Sequence, residues 1–177
     1  MQSDLQINAR LLQTHVQKTT GRMLTLKDIH NVKARTSSVD AEWQQTVMHI
    51  NGLKNSDPGA SIEIVVRDNN VLDMLIIQTS QMKATLANFP EVVQMDGTYR
   101  LNKSGMPLYA LVVEDAHGVG QLVALVLIRG ECGINIQTML EHLKASNPAL
   151  QKTAVFIVDK DFAEIYAIRA VFPEVCL

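Results

Sequence analysis

Apolar positions along the chain change their period near residue 60: before it they recur every three or four residues, and after it they alternate or run unbroken. Ser3 is placed to cap a helix from Asp4 to Lys18, with Leu5, Leu11, Leu12 and Val16 on one side. Thr19-Thr20-Gly21 breaks it. Thr25 followed by Asp28 resembles a capping box and opens a short helix through Arg35. Val39, Trp43, Val47 and Ile50 form the stripe of a third helix, which Asn51-Gly52 and then Asn55-Ser56-Asp57-Pro58-Gly59 should end. Residues 1–56 therefore read as a helical lead-in, followed by a second domain over 60–177.

The second part reads as strands joined first by turns and then by helices. Ile62, Ile64 and Val66 alternate with Glu63, Val65 and Arg67. Asp68-Asn69-Asn70 is a hairpin turn, and Val71–Gln78 returns as the partner strand. Gln81–Asn88 is a helix stopped by Phe89-Pro90. Val92–Tyr99, Pro107–Glu114 and Gly120–Ile128 are strands, and Val123–Ile128 is apolar at every position, as in a strand covered on both faces. Ile134–Ala145 is a helix with Ile136, Met139, Leu140 and Leu143 inward. Thr153–Val158 is a short strand that delivers Asp159, and Phe162–Phe172 is a helix stopped by Pro173. This order predicts the α/β class, a mixed sheet with helices packed on it.

Composition narrows the function classes. The 177 residues are 47% apolar, 19% charged and 5% aromatic, which excludes intrinsic disorder. No run of about 18 apolar residues occurs, so no membrane-spanning helix is expected. The opening MQSDLQINAR lacks the layout of a secretory signal, and two cysteines, Cys132 and Cys176, are too few for a disulfide framework or a tetrahedral zinc site. An intracellular, reduced chain is the simplest expectation. The net charge of −2 divides into seven basic and five acidic residues over 1–60 (+2), and nine and thirteen over 61–177 (−4). Neither half has the concentrated Lys and Arg of a strong phosphate-binding surface. Composition leaves the oligomeric state open.

The chemical signal is the pair Asp96 and Asp159, each at the end of an apolar strand, after VVQM and VFIV. If those strands are neighbours, both carboxylates meet at one sheet edge, an arrangement suited to Mg2+ and phosphoryl transfer. The plainer alternatives are that Asp96-Gly97 marks a turn and that Asp159 caps the following helix. A third acid would have to come from elsewhere. Glu114 and Asp115 end another strand beside a turn. Glu141 lies among residues that read as surface, and Glu164 reads as a surface or dipole-favourable acid one turn into the last helix.

Other residues carry less. Trp43 reads as a core anchor; His30 and His49 have no ligand-spaced partner. His117 is a turn residue, and Cys132 is a loop thiol with no His or Lys beside it to activate it. Gly118 and Gly120 are turn glycines and not a phosphate cradle, so no small-molecule cofactor is expected. Tyr99 and Arg100 could contact a nucleic-acid backbone or simply pack on the sheet. A helix-turn-helix reading of the lead-in fails at Val39–Ile50, which has no Lys or Arg and carries Asp40 and Glu42.

The segments MDGTYRLNKSGMPLYALVVEDAHGVGQLVALVLI and VFIVDKDFAEIYAIRAVFPEVCL together resemble the transposase domain of Mutator-like elements. They resemble still more closely the derived animal SWIM-type zinc-finger proteins 1 and 3. The resemblance spans residues 60–177, and LTLKDIHNVKAR extends it weakly upstream. It implies an RNase H-like fold with the first two acidic metal ligands, for Mg2+, on Asp96 and Asp159. The third, a glutamate, would lie on a helix beyond residue 177, after a Cys/His pair, with the SWIM zinc finger further on. The fold would then be incomplete at its C-terminus, with Val175-Cys176-Leu177 opening the next strand. The implied function is a domesticated, non-catalytic, nucleic-acid-associated module with DNA as the candidate partner; the expected localisation is nuclear or cytoplasmic, and nuclear by the resemblance. The alternative is an active metal-dependent DNA nuclease or strand transferase using the same two aspartates.

Overall fold

The computed structural model describes residues 44–66, 71–98 and 105–177. The helices expected over 4–18 and 25–35, Trp43, His30, the turn expected at 68–70, Tyr99 and Arg100 lie outside the described residues. The chain divides into two units, Met1–His49 and Ile50–Leu177. Helix α1 is described over 44–56. It runs through Asn51-Gly52 and stops only at the Asn55-Ser56-Asp57 cluster. Gly52 is exposed with open space around its Cα, so its propensity cost of about 1 kcal/mol is the only penalty for keeping it helical.

In the second unit the elements run β1 (Ser61–Val66), β2 (Leu72–Gln78), α2 (Ser80–Asn88), β3 (Val92–Thr98), β4 (Leu108–Glu114), β5 (Gly120–Ile128), α3 (Gly133–Ser146), a 3-10 turn (Pro148–Lys152), β6 (Val155–Ile157) and α4 (Phe162–Val171). The strands form one six-stranded sheet ordered β1-β2-β5-β4-β3-β6. All neighbours are antiparallel except β3 and β6, which are parallel. A parallel neighbour requires a crossover, and α3 with the 3-10 turn supplies it.

One face of the sheet carries the core. Met74, Ile76, Ile128, Val126, Tyr109, Leu111, Val113, Met95, Val93 and Phe156 belong to a single buried cluster, together with Leu86 of α2, Ile136, Met139, Leu140 and Leu143 of α3, and Ala167, Ile168 and Val171 of α4. The registers Met74↔Ile128, Tyr109↔Val126, Met95↔Leu111 and Val93↔Phe156 carry this face across five strands. The unbroken apolar run of β5 has a local reason as well. Leu111 pairs with Ala124 and Val112 with Leu122, so Val123 is an extra residue in a bulge, and Val123 and Ala124 are both buried. The bulge carbonyl is not orphaned: Gln78 Nε2 donates to Val123 O at 2.9 Å, and Asn147 Nδ2 donates to Gln78 Oε1 at 2.9 Å. That closed network is what makes two buried amides tolerable.

Candidate functional site

β3 alternates strictly, with Val93 and Met95 buried and Val92, Gln94, Asp96 and Thr98 exposed. Asp96 therefore stands on the sheet face opposite Val93 and Met95, and is itself exposed. It lies within the strand, which continues through Gly97 to Thr98, so Asp96-Gly97 is not a turn. β6 lies beside β3 with Val92↔Val155, Val93↔Phe156 and Gln94↔Ile157 in register. The pairing ends there; continued by two residues, the same register would match Asp159, which follows β6, with Asp96. Both aspartates are exposed. Asp159 does not cap the last helix: Asp161 does, accepting from Ala163 N at 2.7 Å. Asp96 and Asp159, 63 positions apart in sequence, thus belong to two chain segments that the sheet makes neighbours, Asp96 within β3 and Asp159 just after β6.

The other acids separate clearly. Glu114 is exposed at the far end of β4. Asp115 holds the β4–β5 turn: its Oδ1 accepts from His117 N at 2.9 Å and Val119 N at 3.1 Å, and its Oδ2 accepts from Gln121 Nε2 at 2.8 Å. Those bonds, led by the one from Val119, hold its carboxyl below the usual range. Glu141 is exposed and accepts from Gln137 Nε2 at 2.9 Å. His117 is an exposed turn residue, and Cys132 is an exposed free thiol at the start of α3. His49 is exposed, with Nδ1 2.7 Å from the carbonyl of Gln45.

Glu164 is the correction. Read as a surface acid, it is only 5% exposed and lies on the helix-covered face. Tyr109, itself 1% exposed, donates its hydroxyl to the Glu164 carboxylate, while Glu164 Oε2 is buried with no partner. Burial pushes this carboxyl up to about 7; the charge of Asp161 adds to that, and those of Asp159 and Asp96 contribute further, while the Tyr109 bond opposes it. A signal was present in the sequence. Glu164, Ala167, Ile168 and Val171 share one helical stripe, and the last three are apolar, so Glu164 occupies an inward position.

Gly97 explains how this buried acid meets the sheet. It pairs with Tyr109, and a Cβ at Gly97 would lie 3.0 Å from Tyr109 Cε1 and Cζ and 3.3 Å from Oη. The ring crosses directly over Gly97 to reach Glu164, and the close approach demands glycine beside Asp96. Gly97→Ala is accordingly expected to destabilise the fold by about 1–3 kcal/mol in urea denaturation, because the buried ring has little room to yield. In a Tyr109→Leu background the same change should cost distinctly less; equal cost in both backgrounds would contradict the contact.

The donor chemistry of the edge fits a hard divalent cation. Mg2+ commonly takes one or two carboxylates and keeps several waters. Among the described residues no three His, Cys, Asp or Glu side chains are gathered so as to hold a metal ion. No described helix is long and apolar enough to cross a membrane. Among known families, the model described as zinc finger SWIM domain-containing protein 1/3, RNaseH-like domain, matches residues 51–177.

Proposed function

Because the chain belongs to the family of RNaseH-like domains of zinc finger SWIM domain-containing proteins 1/3, we propose that it is a transposase-derived module of the Mutator-like type that has given up DNA cleavage. In this reading it associates with nucleic acid, in the nucleus, and keeps a divalent cation between Asp96 and Asp159. The observation that supports the reading is the parallel β3–β6 pairing, whose register, continued by two residues, matches Asp96 with Asp159. The second support is the state of the nearest buried acid. Glu164 is buried and hydrogen-bonded to Tyr109, and among the described residues no three acids are gathered so as to hold a metal ion. The cation, when held, would neutralise the two aspartates and draw a phosphate oxygen to the edge. Asp96 and Asp159 would hold it; Asp161, occupied in capping α4, would not.

The test is DNA cleavage in Mg2+ and in Mn2+ by the chain and by its Asp96→Ala and Asp159→Ala variants. The expected result is cation binding by the parent chain with no cleavage above that of the two variants. Cation-dependent strand scission that both substitutions abolish would instead establish the active nuclease.

A further inference from the structure

We propose that the buried Glu164 is a proton store governed by the charge on Asp96 and Asp159: when that charge is neutralised, as a divalent cation would do, Glu164 gives up its proton to solvent. This deepens the cation reading above and rests on it only where a cation is the neutralising agent.

Glu164 is 5% exposed, forms no ion pair among the described residues, and has Oε2 buried without a partner. A carboxyl in such a place is far more stable as the neutral acid than as the anion. Tyr109 donates to it from β4, and the same ring brings it to the strand that carries Asp96. The Cβ position of Gly97 lies 3.3 Å from Tyr109 Oη, and Asp96 is the residue before. One Cα–Cα step and one Cα–Cβ bond further, that hydroxyl is within roughly 9 Å of the Asp96 Cα. On its own helix Glu164 stands three residues after Asp161, the α4 cap, and five after Asp159. The charges of Asp161, Asp159 and Asp96, in that order, all favour the neutral acid.

The other charged groups around α4 do not reverse this balance. Lys160 and Arg169 are exposed. From α3, Lys144 donates to the Val171 carbonyl at 2.6 Å, at the far end of α4, His142 lies against Glu63 of β1, and Glu141 accepts from Gln137. Glu131, in the turn before α3, stands two residues from Gly133, whose Cβ position is 3.6 Å from the Ala163 carbonyl oxygen. An acid there acts in the same direction as the three aspartates.

Three acids thus keep a fourth protonated, and such coupling is reciprocal. A cation on Asp96 and Asp159 cancels two of the three charges that oppose ionisation. Glu164 then ionises, its proton passes to the buffer, and the carboxylate left behind strengthens the hold on the cation through the field. Coordination by Glu164 is not required, because charge acts across a sheet that a ligand cannot cross.

The test is a pH titration of the Glu164 side-chain carboxyl by carbon NMR of the full chain, the resonance being identified by its loss in Glu164→Gln. The midpoint should lie near 7 in the parent. In EDTA, Asp96→Asn and Asp159→Asn should each lower it by roughly 0.3–0.6 of a pH unit. Saturating Mg2+ should lower it further in the parent. Calorimetry at pH 7 in two buffers of different ionisation enthalpy should find roughly 0.3–0.5 of a proton released per Mg2+, and close to none in Glu164→Gln. Midpoints unmoved in both asparagine variants overturn the proton store, and Mg2+ binding in that case leaves the cation reading standing without it. Midpoints lowered in the variants while Mg2+ fails to bind support the store and remove the cation. Proton release undiminished in Glu164→Gln overturns the assignment of the proton to Glu164.

Discussion

At pH 8, Glu164→Gln is expected to make the protein more stable than the parent by on the order of 3 kcal/mol, and to remove a pH dependence that the parent shows between about 4.5 and 7. The carboxyl goes from an ordinary value of 4.5 to about 7 in the fold. A buried acid with a raised folded value binds its proton more tightly when folded than when unfolded. Its favourable effect is complete below about 4.5 and is lost as pH rises to about 7, above which both states are ionised and stability no longer changes. The penalty above pH 7 is that of an ionised carboxylate that is buried, carries one partnerless oxygen and lies within reach of three other acids. Glutamine matches the shape of the neutral form, still accepts from Tyr109 and cannot ionise. Urea denaturation of both proteins at pH 4 and pH 8 reads the effect directly. Equal midpoints at pH 8 would mean that Glu164 is not buried against Tyr109 as described.

Phe156→Ala is expected to cost about 3–5 kcal/mol, the largest loss from any single truncation near the site. β6 is only three residues long, and its middle residue is 1% exposed. The ring lies 5.1 Å, centroid to centroid, from that of Phe172, where the chain leaves α4. It therefore joins the strand that leads to Asp159 to the helix that follows it. Alanine leaves a cavity at that junction and loosens the β3–β6 pairing on which the position of Asp159 depends. Phe156→Leu, which fills most of the volume, should retain most of the stability in the same thermal melt. If alanine were as well tolerated as leucine, the strand would not be anchored through this ring.

Much of the sheet was legible in the sequence because period-two alternation and turn residues are local signals. β3, β4 and β5 follow VVQM, the P-L-Y segment and the all-apolar run, and the helices end where Phe89-Pro90, Asn147-Pro148 and Pro173 require. What the residues alone left conditional is the adjacency of β3 and β6. Two strands and a helix intervene, and no periodicity reports which strands of a sheet are neighbours; the family resemblance implied it.

Glu164 was misread for a related reason. Its helical stripe marked it as inward, but its burial depends on Tyr109, 55 positions earlier, crossing a glycine on a third strand. The Asp96-Gly97 dipeptide carried a turn meaning by frequency and a close-approach meaning in the fold. Only the register Gly97↔Tyr109 distinguishes them.

Manganese binding followed by electron paramagnetic resonance tests the two-aspartate edge most directly. One Mn2+ site should be present in the parent chain, lost in Asp96→Asn and in Asp159→Asn, and kept in Glu164→Gln. Retention in either aspartate variant, or loss in Glu164→Gln, would contradict an edge built from Asp96 and Asp159 alone.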